Sequence, residues 1–410
     1  MGASRAIDWG TAQRIGELIA GSPPYGGVPD RSAQELAHDF ARRVSAYTGL
    51  RLPAELPPLE MVDRPSWIAA NLLTMRPMLD PLMQRLTGAD GDGDDDDDGG
   101  GGDGKHGRPG AGPLAGPLRA ASDQLSAASG HLLGAQLGAV TGLLSQRVLG
   151  QYDVSLLDDS VSPRLLLLAP NLAAAARNLR VDRDELNAWV AIHEITHAVQ
   201  FAGAPWLRAH LGGMLRELLD GLRISSAGGP SPAGGSSPDG DSSSGSGPPS
   251  AGGSFSWLRD PGALLDRARG EELRALIERA RHGELLRLGL GDERWRLVER
   301  MQAVMSLIEG HAEHTMDAVG AELLPSLPRL RAAMTRRRSS RGLPWRVLER
   351  LLGLELKMRQ YEVGRRFCDA VVAEGGPETL AIAWRSPEEL PSQAELTEPA
   401  LWLERVRVPA

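Results

Sequence analysis

The chain has 410 residues, of which 41% are hydrophobic and 24% charged, and it carries a net charge of −8. These values exclude a chain disordered throughout, a collagen-like fibre and a multi-span membrane protein. Aromatic residues make up only 4%, so a core must come mainly from Leu, Ala and Val. Cys368 is the sole cysteine, which excludes an internal disulfide framework and any CxxC metal or redox site.

In chain order, the start of the sequence has no basic segment leading into an apolar core, so a cytoplasmic location is expected. Two tracts, 88–117 and 226–254, are rich in Asp/Gly and in Gly/Ser/Pro. Neither has the apolar content to offset ordering entropy, and both read as disordered insertions in a single domain spanning 1–410. Eight aspartates between Asp90 and Asp103 lack the turn glycine and bidentate glutamate of a calcium loop.

The helical period recurs over 9–20, 31–48, 64–86, 118–149, 182–202, 206–222, 260–281, 293–319, 344–373 and 393–407. Residues 151–157 and 163–169 read as strands, and the turn-rich stretch between them favours a hairpin. The expected fold class is therefore mainly α with a small β-sheet. Gly130, Gly134, Gly138 and Gly142 form a stripe on one face of their helix, where another backbone can approach closely. His131, Gln136 and Thr141 in the same stretch favour a buried helix of a soluble protein, with no stable membrane insertion. The basic run Arg336–Arg341 has no aromatic interleaving; it reads as a solvated turn, and no nucleic-acid partner is expected.

The chemistry concentrates in Asn187-Ala-Trp-Val-Ala-Ile-His193-Glu194-Ile-Thr-His197. Asp182, with Glu185 three residues on, makes a capping-box pattern that starts the helix. At 100° per residue, His193 and His197 fall at roughly −20° and 20° from Leu186, among Trp189 and Val190 on the apolar side. Both imidazoles point inward one turn apart, as two ligands on one metal require. Glu194 falls at roughly 80°, beside them, where it can reach a water without being a ligand. This is the H-E-x-x-H zinc signature.

A catalytic zinc needs a third protein ligand and keeps one position for water. Candidates cluster in Glu309-Gly-His311-Ala-Glu313-His314, on a helix whose apolar stripe runs through Met301, Met305, Ile308, Ala312 and Met316. Glu309 lies next to that stripe, where a carboxylate is costly unless a cation compensates it, and is the preferred third ligand. Glu313, one turn on, suits a hydrogen bond from a ligating imidazole. His311 and His314 fall on other faces and remain alternatives.

These residues resemble the gluzincin class of zinc metallopeptidases, in which HExxH is completed by a downstream glutamate. A fuller resemblance is to a family of uncharacterised bacterial zincin-like hydrolases, some labelled as associated with deazaflavin coenzyme biosynthesis. It runs through VDRPSW (62–67), LGQYDVSL (149–156), APNL (169–172), HEITHAVQF (193–201), PWLRAHL (205–211), IEGHAEHTMDAVG (308–320) and LKMRQYEVGRRFCDAV (356–371). The resemblance implies a zincin-like fold with Zn2+ held by His193, His197 and Glu309, and Glu194 as general base. It also implies hydrolysis of a peptide or small amide substrate. Inactive zinc-bound scaffolding, or a non-peptide amide hydrolase in deazaflavin metabolism, stand as alternatives. Zincins usually add an oxyanion donor; Tyr361 is the candidate, with Arg359 or Arg365 as alternatives, and a core role for the Tyr361 ring as the rival reading. Residues 163–169 could be the edge strand that aligns an extended peptide, or a strand inside the sheet.

Overall fold

A computed structural model describes residues 7–21, 31–86, 115–227, 292–339 and 354–407. Its helices are α1 (Trp9–Ala20), α2 (Arg31–Thr48), α3 (Arg64–Leu86), α4 (Ala115–Ser145), α5 (Ala169–Leu179), α6 (Arg183–Gly203) and α7 (Trp206–Ala227). They continue with α8 (Asp292–Leu323), α9 (Leu327–Ser339), α10 (Leu354–Gly375), α11 (Pro377–Leu380), α12 (Gln393–Thr397) and α13 (Pro399–Arg407). The strands are β1 (Leu59–Val62), β2 (Gly150–Asp153) and β3 (Arg164–Leu168), in the order β1-β3-β2.

The mainly helical class with a small sheet is as expected. The hairpin is present too, β2 running antiparallel to β3 with Tyr152 opposite Leu165. Four of these elements escaped the sequence reading: α5, α9, α11, and β1, which pairs parallel to β3 with Leu59 opposite Leu165. Residues 163–169 were one candidate for the sheet edge; the structure makes β3 the central strand and β2 an edge. The run Arg-Leu-Leu-Leu-Leu of β3 is buried on both faces, which is what a strand covered on both sides demands. Its alternation divides the interior: Leu165 and Leu167 pack into the core that holds α6, while Leu166 and Leu168 join a second core under α1, α3 and α4.

The glycine stripe of α4 meets the backbone of the chain around α1. A Cβ at Gly134 would overlap the Asp8 carbonyl, and one at Gly138 the Ala12 carbonyl. Among the described residues no helix is long and apolar enough to cross a membrane. The basic cluster is not a turn at its start: Arg336 and Arg337 lie in α9, and Arg337 donates to the Arg147 carbonyl at 3.0 Å. The predicted helix 260–281 lies outside the described residues, as does most of each low-complexity tract.

Asp182 caps α6 by accepting from the Asp184 and Glu185 amides, both at 2.9 Å. Glu185 does not close the capping box; its carboxylate turns to Ser326, at the entrance to α9. The cap fixes where α6 begins and hence the rotation at which His193, Glu194 and His197 leave the helix. Helix α8 is brought against α10 by two glycines: a Cβ at Gly364 would overlap the Ser306 carbonyl, and one at Gly310 the Gly364 backbone.

Candidate metal centre

Among the described residues, one group of His, Cys, Asp or Glu side chains converges as metal ligands would: His193, His197 and Glu309, with donor atoms all within 4.8 Å of one another. The Nε2 atoms of His193 and His197 are 3.3 Å apart. Glu309 Oε2 lies 3.6 Å from the first and 3.8 Å from the second. Donors on a tetrahedral ion with bonds of ~2.0–2.1 Å sit roughly 3.3–3.4 Å apart. The triangle is thus already close to the size that such an ion needs.

Two lone pairs facing each other at this distance repel unless a proton or a metal ion lies between them. Burial opposes protonation of His193, but Glu309, Glu194 and Glu313 together outweigh it and raise that imidazole to about 9. Burial holds His197 below its ordinary value. A proton between the two rings therefore sits on His193.

Glu194 is buried, and its Oε2 accepts a hydrogen bond from the Tyr152 backbone N–H at 2.8 Å. Burial pushes its carboxyl up to about 7, with His193 opposing and Glu309 reinforcing the rise. Gly150 makes room for this arrangement, since an added Cβ would lie 2.8 Å from Glu194 Cγ and Oε1 and 2.7 Å from Val190 Cγ1. The face of β2 toward α6 is thus cut to fit Glu194. On the opposite face Gln151 pairs with Asn71, and Thr74 donates to Asp153, tying β2 to α3.

Glu313 is buried, and its charge favours the protonated form of His193. For His197 the acceptor at Nδ1 is Gln200, at 2.9 Å. His311 and His314 are not brought to the three donors. His311, expected on an outward face, is buried, with its Nδ1 2.9 Å from Gln200 Nε2 and its ring edge-on to Trp384. His314 joins Asp369 at 2.6 Å and Tyr47 at 2.7 Å. Arg365 faces Asp317 and Asp369. Tyr361 lies in α10, but its side chain, like that of Arg359, lies outside the described residues. Gln200 is a residue that the sequence reading missed at this centre, and His311 is one that it named but placed on an outward face. The signal was there in part: Gln200 stands three residues after His197, on the next turn of the same helix.

A helix-borne imidazole pair, a carboxylate from a second helix and a buried glutamate beside them define a protein that can hold a single metal ion. The chain belongs to the zincin-like metallopeptidase family, whose pattern matches residues 7–403. Its structure is similar to the crystal structure of "a putative hydrolase with a novel fold" from Chloroflexus aurantiacus. The two are 25% identical, with a TM-score of 0.57 over 98% of this chain and 100% of the other. No curated protein matches the chain.

Proposed function

We propose that this protein is a zinc-dependent hydrolase of amide bonds, with peptides as the substrate class. His193, His197 and Glu309 would hold Zn2+. The observation that carries this reading is the size of the donor triangle, with sides of 3.3, 3.6 and 3.8 Å. Two imidazoles and one carboxylate are a donor set typical of catalytic zinc, which keeps a position for water. Bound there, zinc supplies Lewis acidity, polarising a carbonyl and lowering the pKa of a water from ~15.7 towards ~7.

The chain's own groups would do the rest. Glu194 Oε2 is held by the Tyr152 N–H, leaving Oε1 to take a proton from the attacking water and return it to the leaving amine. Edge strand β2 carries that N–H on the side away from β3. A substrate backbone adding along this edge would pass directly over Glu194, which favours an extended peptide. Tyr361 stays the proposed oxyanion donor, on sequence grounds alone.

The test is metal analysis of the purified protein beside Glu309→Ala. About one zinc per chain is expected for the wild type, and an affinity lowered at least ~10-fold for the variant. Equal affinity in the two proteins would remove Glu309 from the ligand set.

A further inference from the structure

We infer that Gln200 is a positioning residue that fixes the tautomer of His197 and ties the two ligand-bearing helices together. This rests on the reading of His193, His197 and Glu309 as metal ligands. Gln200 is fully buried and touches three polar partners: its Oε1 is 2.9 Å from His197 Nδ1, and its Nε2 is 2.9 Å from both the Ile308 carbonyl and His311 Nδ1.

The orientation of this amide follows from one fixed point. The Ile308 carbonyl can only accept, so the nitrogen of the amide must face it and the oxygen must face His197. An oxygen there can only accept, so His197 carries its proton on Nδ1. Nε2 is then left with a lone pair, directed at His193 and Glu309. The reversed amide would set two oxygens against each other in a buried site, at the full cost of unsatisfied acceptors.

The same logic reaches His311. The second N–H of the amide donates to His311 Nδ1, so that ring must be neutral with its proton on Nε2. Trp384 packs edge-on against the ring at 4.9 Å between centroids and fixes its plane. Ile308 is the residue before Glu309. The bond from Gln200 to its carbonyl therefore sets the distance between the helix carrying the imidazoles and the turn carrying the carboxylate. A neutral amide does here what a carboxylate often does behind a metal-bound histidine.

The experiment uses the full chain with 15N-labelled histidine, first without metal. Long-range 1H–15N spectra should show His197 as the Nδ1–H tautomer and His311 as the Nε2–H tautomer. In Gln200→Leu the His197 preference should be lost, and zinc affinity from chelator competition should fall about 10–100-fold. Gln200→Glu restores an oxygen opposite Nδ1 and should recover the His197 tautomer, while its second oxygen, facing the Ile308 carbonyl, leaves the tie between the helices broken. An Nε2–H tautomer for His197 in the wild type overturns the inference. So does a folded Gln200→Leu protein that binds zinc within about twofold of wild type. Should Gln200→Leu fail to fold, the wild-type spectrum decides alone. A wild type that binds no zinc would sink the metal reading instead, and the two failures are separable because the tautomer is read in metal-free protein.

Discussion

The Tyr152 backbone N–H donates to Glu194 Oε2 across 2.8 Å, joining an edge strand to the carboxylate beside the imidazole pair. This bond uses one oxygen of the carboxylate and fixes the rotation of the other. It also explains the glycine at position 150, two residues earlier on the same face of β2, where a side chain would strike the Glu194 stem.

Replacing Glu194 with Gln keeps an oxygen acceptor for the Tyr152 amide and removes the basic carboxylate. The variant should therefore fold and retain its zinc, while kcat falls by roughly 10²–10⁴. Metal analysis and turnover on the same preparation check this. Undiminished turnover by a zinc-loaded Glu194→Gln protein would take the proton-transfer role away from Glu194.

Helix packing makes a second prediction, with its own control. Gly364 lies against the Ser306 carbonyl so closely that a methyl group cannot enter without moving α8 or α10. Gly364→Ala should destabilise the protein by about 1–3 kcal/mol. It should also weaken zinc binding, since α8, on one side of that contact, carries Glu309. Gly213, in α7, has nothing within 4 Å of its missing Cβ. Gly213→Ala should raise stability by about 0.5–1 kcal/mol, because Ala loses less backbone freedom in a helix. Thermal melts of both variants should move in opposite directions; a shared direction would refute the close-contact account.

The imidazole pair was legible in the sequence because helical periodicity fixes direction: with Leu186, Trp189 and Val190 facing the core, His193 and His197 had to follow. Glu309 was legible because a carboxylate beside an apolar stripe calls for a cation. His311 was not, because a single apolar stripe is a poor description of α8. That helix is packed against α2, α6, α7 and α10, so a face that looks outward on an isolated helix is buried here. Gln200 went unnoticed because an amide carries no charge to mark it, and two of its three partners, Ile308 and His311, lie more than a hundred positions away in sequence. β1 is only four residues long and pairs with a strand a hundred positions downstream, so no local signal announces it. The identity of the edge strand was ambiguous for the same reason: without β1, nothing covers the outer side of β3.

The last prediction concerns Asp153, which ends β2 on the face away from Glu194. Its carboxylate is buried and receives Thr74 Oγ1 at 3.3 Å and Gln151 Nε2 at 3.3 Å. Burial raises its pKa above the ordinary 3.8, against the opposing pull of Thr74, Arg164 and Gln151. A raised folded-state pKa means that the native protein binds more protons than the unfolded chain between the ordinary and the raised value. The stability linked to this proton is complete below about pH 3.8 and is lost as pH climbs through the folded value. Asp153→Asn keeps the shape and one acceptor oxygen while removing the titration. Relative to wild type, the variant should gain stability as pH rises from about 4 to about 7.5. Denaturant midpoints for both proteins across that range give the comparison. A difference between them that does not change with pH would mean that Asp153 is ionised as easily in the fold as outside it, and that the polar contacts to α3, rather than burial, set its charge state.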